Sequence, residues 1–219
     1  MEIKTFSHRF MFNNYVNCYL IKTGDNYFLI DTGFTRYRSV IEKEIERTGC
    51  GIGQLKLIIL THGDLDHAGN AAYLHTKFAS KIAMHSSDIG MVEYGDMFFS
   101  RKNPNILVKT LANLFFSLKK KDRFIPDITV DGDYDFSEFG LEAKAIYIPC
   151  HTRGSIAILT AEGHFFCGDL MGNIKKPAVF DIMDDMAEAK AYIKKLQGLD
   201  IKIVYPGHGQ PFTMNLLSE

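Results

Sequence analysis

The feature that most constrains the fold of this chain is a cluster of metal-binding residue types directly after a short apolar segment. Residues 55–60 (LKLIIL) have the pattern of a buried strand, and His62, Asp64, Asp66 and His67 follow it. If the chain stays extended past the strand, His62 and Asp64 project to the same side. Imidazoles and carboxylates are suitable ligands for zinc, iron or manganese, so this loop can present ligands to two neighbouring points. Taken alone, the cluster is also compatible with a charged loop at the start of a helix.

Three further candidate ligands, His151, Asp169 and His208, occur in similar settings. Each follows an apolar strand-like segment, and each has a glycine nearby that allows a tight turn or a close backbone approach. Strand patterns alternate with helical patterns such as residues 68–78, which is the plan of an α/β layer fold. Such folds place ligand sites at the carboxyl ends of their strands, so these residues are expected on one rim with residues 62–67, which we call the metal loop. The joint pattern predicts a metal site.

Together these motifs resemble the metallo-β-lactamase superfamily. The resemblance rests on T-H-x-D-x-D-H at residues 61–67, H-T-x-G-S at 151–155, G-D at 168–169, P-G-H-G at 206–209 and an early D-T-G turn at 31–33. It implies an α/β (α+β) fold, namely a four-layer αββα sandwich with the site at the edges of two sheets. The whole chain, residues 1–219, is then expected to be a single domain, with a helical insertion or lid at residues 88–127.

The same resemblance implies seven metal ligands around two cations. They are His62, Asp64 and His151 for the first metal, Asp66, His67 and His208 for the second, and Asp169 as a bridge between them. Asp31 would support the metal loop through hydrogen bonds. Asp66 is also the candidate catalytic residue, because its carboxylate is placed to carry a proton.

Asp64 departs from the commonest loop of the superfamily, which has histidine at that place. With three carboxylates in the ligand set, the charges of two divalent cations, the carboxylates and one hydroxide sum to zero, whereas histidine at position 64 would leave one positive charge. A more neutral, oxygen-rich site tolerates harder ions. Related flavin-linked diiron enzymes also carry a carboxylate here. Two divalent metal ions are therefore expected as cofactors, with zinc first and with iron or manganese as alternatives.

The function implied by the resemblance is that of a dinuclear metal-dependent hydrolase. A metal-bound hydroxide would attack an ester, thioester, lactone or phosphodiester in a small-molecule substrate. The alternative, favoured by Asp64, is a diiron non-hydrolytic oxidoreductase or dioxygenase of the same fold. Cys150 and Cys167 lie next to candidate ligands, so a catalytic thiol is a further alternative.

Charge and composition narrow the other expected partners. A net charge of -1, from 25 basic and 26 acidic residues, gives no general electrostatic reason to expect nucleic acid or an anionic membrane as a partner. The first residues lack the pattern of a signal peptide, and no apolar stretch approaches the ~20 residues of a membrane span. The cysteines are scattered, as in reduced cytoplasmic proteins. We therefore expect a cytoplasmic protein, and we leave a homo-oligomer open.

Three features of the sequence allow two interpretations each. Residues 88–127 are rich in methionine and phenylalanine, and form either helices packed on the core or a lid that supplies apolar walls for the substrate. His85 follows another strand pattern and is expected to be a structural histidine rather than an extra ligand. Arg153 is expected either to be exposed or to contact an anionic substrate.

Overall fold

A computed structural model describes residues 1–10, 14–101 and 117–217 of the chain. Its strands are β1 (Glu2–Arg9), β2 (Tyr15–Thr23), β3 (Asn26–Ile30), β4 (Leu55–Ile59), β5 (Lys81–His85), β6 (Ile128–Val130), β7 (Tyr134–Asp135), β8 (Ala143–Tyr147), β9 (Ile156–Thr160), β10 (His164–Asn173), β11 (Pro177–Val179), β12 (Ile203–Gly209) and β13 (Phe212–Thr213). Its α-helices are α1 (Arg38–Arg47), α2 (Leu65–Ala68), α3 (Ala71–Phe78), α4 (Ile89–Tyr94) and α5 (Met186–Leu196).

The strands form one continuous sheet that is nearly divided in two. The first half has the order β6-β5-β4-β3-β2 with β1 on β2, and the second half has the order β12-β10-β9-β8-β7 with β11 on β10 and β13 on β12. Among the described residues, the halves are joined by a single pair, Val16 of β2 with His208 of β12. Strands β3 to β6 run parallel, as do β10 and β12, so their carboxyl ends meet at shared edges.

Side chains along the central strands alternate between different cores. In β4, Leu57 and Ile59 point into the core between the two halves, whereas Ile58 belongs to the core that α1 and α3 cover. In β10, Phe166 points into the same central core, whereas Phe165 belongs to the core that α5 covers. Because successive strand residues face opposite sides, each half of the sheet is buried on both faces. The result is the predicted sequence of layers: helix, sheet, sheet, helix.

The predicted helix over residues 68–78 is present from Ala71 to Phe78 as α3, but it does not begin at Ala68, because residues 69 and 70 separate it from α2. Asn70 Nδ2 donates to the backbone oxygens of Thr32 and Phe34, each at 2.8 Å. A Cβ at Gly69 would lie only 2.6 Å from a backbone oxygen of the same 31–34 turn. Close packing of that turn against residues 69–70 therefore separates α2 from α3.

Much of the predicted insertion at residues 88–127 lies outside the described residues, which omit 102–116. Its described flanks include α4 and a short 3-10 helix at Lys120–Asp122. Met91 and Leu118 from these flanks are buried in the core that covers the first half of the sheet. Within the described ranges, no helix combines the length and the apolar character needed to cross a lipid bilayer.

Candidate metal centre

The first group of candidate ligands consists of His62, Asp64 and His151. His62 follows β4, Asp64 precedes the first residue of α2, and His151 follows β8. Asp64 Oδ2 lies 3.0 Å from His151 Nε2 and 3.5 Å from His62 Nε2. Ligand atoms that bind a tetrahedral cation at ~2.1 Å lie roughly 3.4 Å from one another, so this spacing fits a metal ion.

The second group consists of Asp66 and His67 on α2 and His208 on β12. Asp66 Oδ2 lies 3.4 Å from His208 Nε2 and 3.7 Å from His67 Nε2. β12 continues through residues 206–209, because His208 remains paired with β10. This pairing carries His208 to the metal loop.

Asp169 lies between the two groups. Its Oδ2 is 3.4 Å from His208 Nε2 and 3.7 Å from His151 Nε2, and its Oδ1 is 3.3 Å from His67 Nε2. The preceding Gly168 has φ 50°, and a Cβ there would lie 2.7 Å from Thr61 Oγ1. Glycine is therefore needed for β10 to pass so close to Thr61. This close approach places the carboxylate of Asp169 where it can bridge two cations.

Three buried ligand atoms have no hydrogen-bond partner among the described residues: His62 Nε2, His67 Nε2 and Asp169 Oδ1. Buried polar atoms in native proteins are nearly always satisfied, so an unpartnered cluster calls for an explanation. These three residues form one group whose ligand atoms lie within 4.8 Å of one another. Because metal ions bound at this cluster would satisfy these atoms, the residues present fit a metal site.

Each histidine of the cluster is oriented by a contact through Nδ1, which directs Nε2 to the centre. The contacts are His62 with Thr61 Oγ1 (3.0 Å), His67 with Asp31 Oδ2 (2.8 Å), His151 with Ile182 O (2.7 Å) and His208 with Tyr15 O (2.9 Å). Contacts of this kind fix the ring and its tautomer in metal sites. Asp31 thus lies directly beside the metal loop.

The charges of the cluster shift the pKa values of its members in opposite directions. Burial alone would lower the pKa of His67, but the neighbouring carboxylates, Asp169 foremost, outweigh burial and raise it to about 10. Burial alone would raise the pKa of Asp169, but the neighbouring histidines, His208 foremost, hold it well below its usual range. In the metal-free protein the site therefore carries protons on histidine that a bound cation would displace.

Comparison with known proteins identifies the family. The family model described as the metallo-beta-lactamase superfamily matches residues 12–208. The chain belongs to this superfamily. It is 28% identical over 211 residues to a probable metallo-hydrolase of Bacillus subtilis, covering 86% of this chain and 77% of that protein. It is 27% identical over 204 residues to a probable metallo-hydrolase of Methanocaldococcus jannaschii, covering 89% and 87% of the two chains.

Solved structures of the superfamily share the fold. BLEG-1, a B3 metallo-beta-lactamase, matches with a TM-score of 0.74 and 17% identity over 98% of this chain and 95% of that chain. TTHA1623, solved in a di-iron-bound form, matches with a TM-score of 0.69 and 24% identity over 92% and 91%. These identities show the fold alone. Membership of the superfamily and the relatives above support a metal-dependent hydrolase in general.

Asp88 is a buried residue beside the candidate metal centre that the sequence pattern did not reveal. Its Oδ2 accepts hydrogen bonds from Gly63 N at 3.0 Å and from Thr152 Oγ1 at 2.7 Å, and its Oδ1 accepts from Gly154 N at 2.9 Å. One carboxylate thereby ties the metal loop to the 151–155 loop. Asp88 therefore fixes the separation of the two loops that carry the first group of ligands.

Arg101 is a second residue that sequence analysis missed. Its Nη2 lies 2.5 Å from Asp64 Oδ2 and 3.3 Å from His151 Nε2. Its Nη1 donates to the backbone oxygen of His151 and lies 3.8 Å from Asp184 Oδ1. Burial would raise the pKa of Asp64, but Arg101 and the adjacent histidines outweigh it and hold the pKa well below its usual range. A permanent positive charge therefore lies against the first group.

A cavity of about 410 Å³ opens over the candidate ligands. Its walls are mostly apolar, and the apolar lining residues are Phe10, Phe34, Leu65, Met97, Phe98, Phe180 and Ile182. The ring of Phe180 stacks on His208, with 4.9 Å between the ring centroids. A concave, largely apolar pocket with a few polar groups at its floor is the usual form of a small-molecule site.

The cysteines near the site are poor nucleophiles. Burial raises the pKa of Cys150 to about 12, and it raises the pKa of Cys167 further still. A thiol needs a lowered pKa to be reactive at neutral pH. The alternative of a catalytic thiol therefore does not fit the structure.

His85 has the contacts of a structural histidine. Its ring stacks on Tyr147 at 4.3 Å between centroids, and its Nδ1 accepts a hydrogen bond from Ser87 N at 3.1 Å. The groups of candidate metal ligands found among the described residues do not include it. Arg153 is exposed, as one of its two interpretations predicts.

Proposed function

We propose that this chain is a dinuclear metal-dependent hydrolase that cleaves an ester, thioester, lactone or phosphodiester of a small molecule. The observation that carries the proposal is the convergence of imidazole and carboxylate side chains on one cluster at the floor of an apolar cavity. The proposed ligands are His62, Asp64, His151, Asp66, His67, His208 and Asp169.

The residues divide naturally between two cation positions that share Asp169. Two divalent cations bound there would lower the pKa of a shared water towards neutrality and polarise the oxygen of the scissile group. Four imidazole ligands favour zinc, whereas the carboxylate of Asp64 makes iron or manganese acceptable alternatives. Asp31 and Asp88 would keep the ligands in place through the hydrogen bonds described above.

Asp66 is the proposed proton carrier of the reaction. Its side chain is 15% exposed, whereas that of Asp169 is 4% exposed, so Asp66 is the more accessible of these two carboxylates. Burial would raise its pKa, but His67 and His208 outweigh burial and lower it, so the carboxylate is ionised at neutral pH. Through the carboxylate oxygen that the cation would leave free, Asp66 could therefore accept a proton from the attacking water and pass it to the leaving group.

The substrate that this cavity would take carries an apolar group. The floor of the cavity is polar and charged, but its walls are formed by aromatic side chains and by Leu65, Met97 and Ile182. The scissile group would lie on the floor near Asp66 and Asp169, with the apolar group between the aromatic side chains. Burial of that group would supply binding free energy of roughly 25 cal/mol per Å² of apolar area.

A second candidate function is a diiron non-hydrolytic oxidoreductase or dioxygenase. It is favoured by Asp64, because the added carboxylate suits a harder ion than zinc. The fold itself accommodates two irons, as the di-iron-bound form of TTHA1623 demonstrates for that protein. Iron bound in the protein as purified, together with oxygen consumption and no hydrolysis, would favour this candidate.

The proposal is tested by assaying protein reconstituted with Zn²⁺, Mn²⁺ or Fe²⁺ against activated esters, thioesters, lactones and phosphodiesters. We expect turnover of at least one class, lost on chelation and in Asp66→Ala and His67→Ala proteins that remain folded by circular dichroism. Asp25→Ala, in the exposed β2–β3 turn, is the matched control and should retain full turnover. Undiminished turnover in Asp66→Ala would refute its assignment.

A further inference from the structure

Arg101 occupies an unusual place for a cationic side chain, because it lies against proposed ligands of a cation. Its Nη2 contacts Asp64 Oδ2 at 2.5 Å and His151 Nε2 at 3.3 Å, and its Nη1 donates to the backbone oxygen of His151. The side chain is only 13% exposed. The guanidinium is thus enclosed within the first group of ligands rather than lying on the surface.

The oxygen that Arg101 contacts is the one that faces the other ligands of the first position. Asp64 Oδ2 lies 3.0 Å from His151 Nε2 and 3.5 Å from His62 Nε2, so a cation held by the two histidines would bind this same oxygen. Arginine keeps its positive charge at any ordinary pH. A divalent cation at the first position would therefore meet a like charge within a few ångströms, in a partly buried setting where screening is weak.

The second position differs in its surroundings. In the part of the chain that the structure describes, the ion pairs of Asp66 are with His67 and His208, which are themselves proposed ligands of the second cation. These contacts include no arginine or lysine. At the first position, by contrast, the guanidinium of Arg101 lies against the oxygen with which Asp64 would bind the cation.

We propose that Arg101 is an internal competitor for the first metal position, so that the two positions fill in order and with unequal affinity. The proposal rests on the proposed function, because it uses its assignment of ligands. In the metal-free protein the guanidinium neutralises Asp64. A cation fills the second position first, and the first position fills only when Arg101 leaves Asp64. Asp184 Oδ1, 3.8 Å from Arg101 Nη1 at the wall of the cavity, is the acceptor towards which the guanidinium can move.

The experiment titrates metal-free protein with Zn²⁺ alone, against a competing chelator, and measures stoichiometry and both stepwise affinities. For the wild-type chain we expect two steps whose affinities differ by at least ~10-fold. Arg101→Gln should strengthen the weaker step by at least ~10-fold and leave the tighter step unchanged. Arg101→Met, which keeps an apolar stem, is a second neutral variant in case the first does not fold. Arg153→Gln removes the same charge from an exposed position and should change neither step.

A second measurement assigns the weaker step to the first position. Asp64→Asn should weaken that step and spare the tighter one. With Mn²⁺, the first equivalent should give the electron paramagnetic resonance spectrum of an isolated ion, and the second equivalent a spin-coupled pair. Two equal steps in the wild type, or a weaker step that weakens further in both neutral variants, would overturn the competitor role. If none of these proteins binds a metal ion, the proposed function itself fails, and the two failures are thereby distinguished.

Discussion

Asp31 Oδ2 lies 2.8 Å from Nδ1 of His67, and its Oδ1 accepts a hydrogen bond from Thr61 N, also at 2.8 Å. Asp31 adopts φ 58°, a left-handed conformation that aspartate and asparagine tolerate better than most residues. This conformation turns the chain at the end of β3 and brings the carboxylate beneath the metal loop. One side chain therefore fixes both the start of the loop and the ring of a proposed ligand.

Asp31→Asn should lower metal affinity. Asparagine keeps the backbone conformation, but its uncharged amide is a weaker acceptor for His67 Nδ1. Loss of such a partner typically lowers metal affinity by ~10–100-fold. The measurement is competition between the metal-free protein and a chromophoric chelator, with Asp25→Asn in an exposed turn as the control. Equal affinities for the two variants would contradict a role for Asp31 in orienting His67.

Asp88→Asn should destabilise the protein, because both carboxylate oxygens of Asp88 face hydrogen-bond donors. Whichever way the new amide turns, its NH₂ group faces either Gly154 N or Gly63 N and Thr152 Oγ1. A buried donor left without an acceptor costs ~1–3 kcal/mol. We expect a fall of this size in the free energy of unfolding of the metal-free protein, measured in urea. Asp133→Asn, at an exposed position, should leave it unchanged. An Asp88→Asn protein as stable as the wild type would show that the loops do not depend on this carboxylate.

The sequence pointed to residues that the structure brings together, because each candidate ligand has a local pattern. His62 follows an apolar strand, Asp169 follows an apolar run and a glycine within β10, and His208 lies in a Pro-Gly-His-Gly run. The four layers follow from the same strands. Because these strands carry apolar residues on both faces, each half of the sheet must be covered on both sides. Local pattern and tertiary position agree at these residues.

The residues that the sequence did not reveal act through contacts that are distant along the chain. Arg101 contacts Asp64, which lies 37 positions earlier, and His151, which lies 50 positions later. Asp88 contacts Thr152, which lies 64 positions later. Neither lies in a periodic or glycine-marked motif. The break between α2 and α3 was missed for the same reason, since Asn70 is held by Thr32, 38 positions earlier. Such tertiary contacts override local helix propensity.

Metal binding should become tighter as the pH rises from 6 to 9. The neighbouring carboxylates outweigh burial and raise the pKa of His67 to about 10 in the metal-free protein, so its imidazole is protonated at neutral pH. A cation binds only the unprotonated nitrogen and must displace that proton. Isothermal titration calorimetry in buffers of different ionisation enthalpy should show proton release on binding. A binding enthalpy that does not change with the buffer would contradict the raised pKa.

The metal-free protein should lose stability as the pH rises from 7 to 10. Folding raises the pKa of His67 from the usual 6.5 to about 10. The resulting contribution to the free energy of unfolding is fully present below pH 6.5. That contribution disappears as the pH passes through the folded-state value. Urea unfolding of the metal-free protein across this range should show the decline. His67→Gln should flatten it, whereas His75→Gln, a histidine with 41% exposure, should not. A wild-type stability that stays constant over the range would refute the assignment of the charge to His67.

Gly207→Ala should damage the second metal position more than the fold. A Cβ at this position would lie 2.7 Å from His67 Cε1 and closer still to Asp169 Oδ1. In the present structure, Nε2 of His67 lies 3.3 Å from Oδ1 of Asp169. The added methyl must push at least one of them aside. Small-to-large changes of this kind cost ~1–3 kcal/mol of stability in a packed interior.

The decisive measurement for Gly207→Ala is the metal content of protein dialysed against limiting Zn²⁺. We expect a folded protein whose affinity for the first equivalent of Zn²⁺, which fills the second position, falls by at least ~10-fold. The displaced side chains, His67 and Asp169, are proposed ligands of that position. Gly198→Ala is the matched control, since a Cβ there would meet only Lys195 O at an ordinary 3.4 Å. If Gly207→Ala binds the first equivalent as tightly as Gly198→Ala, then Asp169 and His67 do not act together at one cation, and the proposed pairing of the second position must be revised.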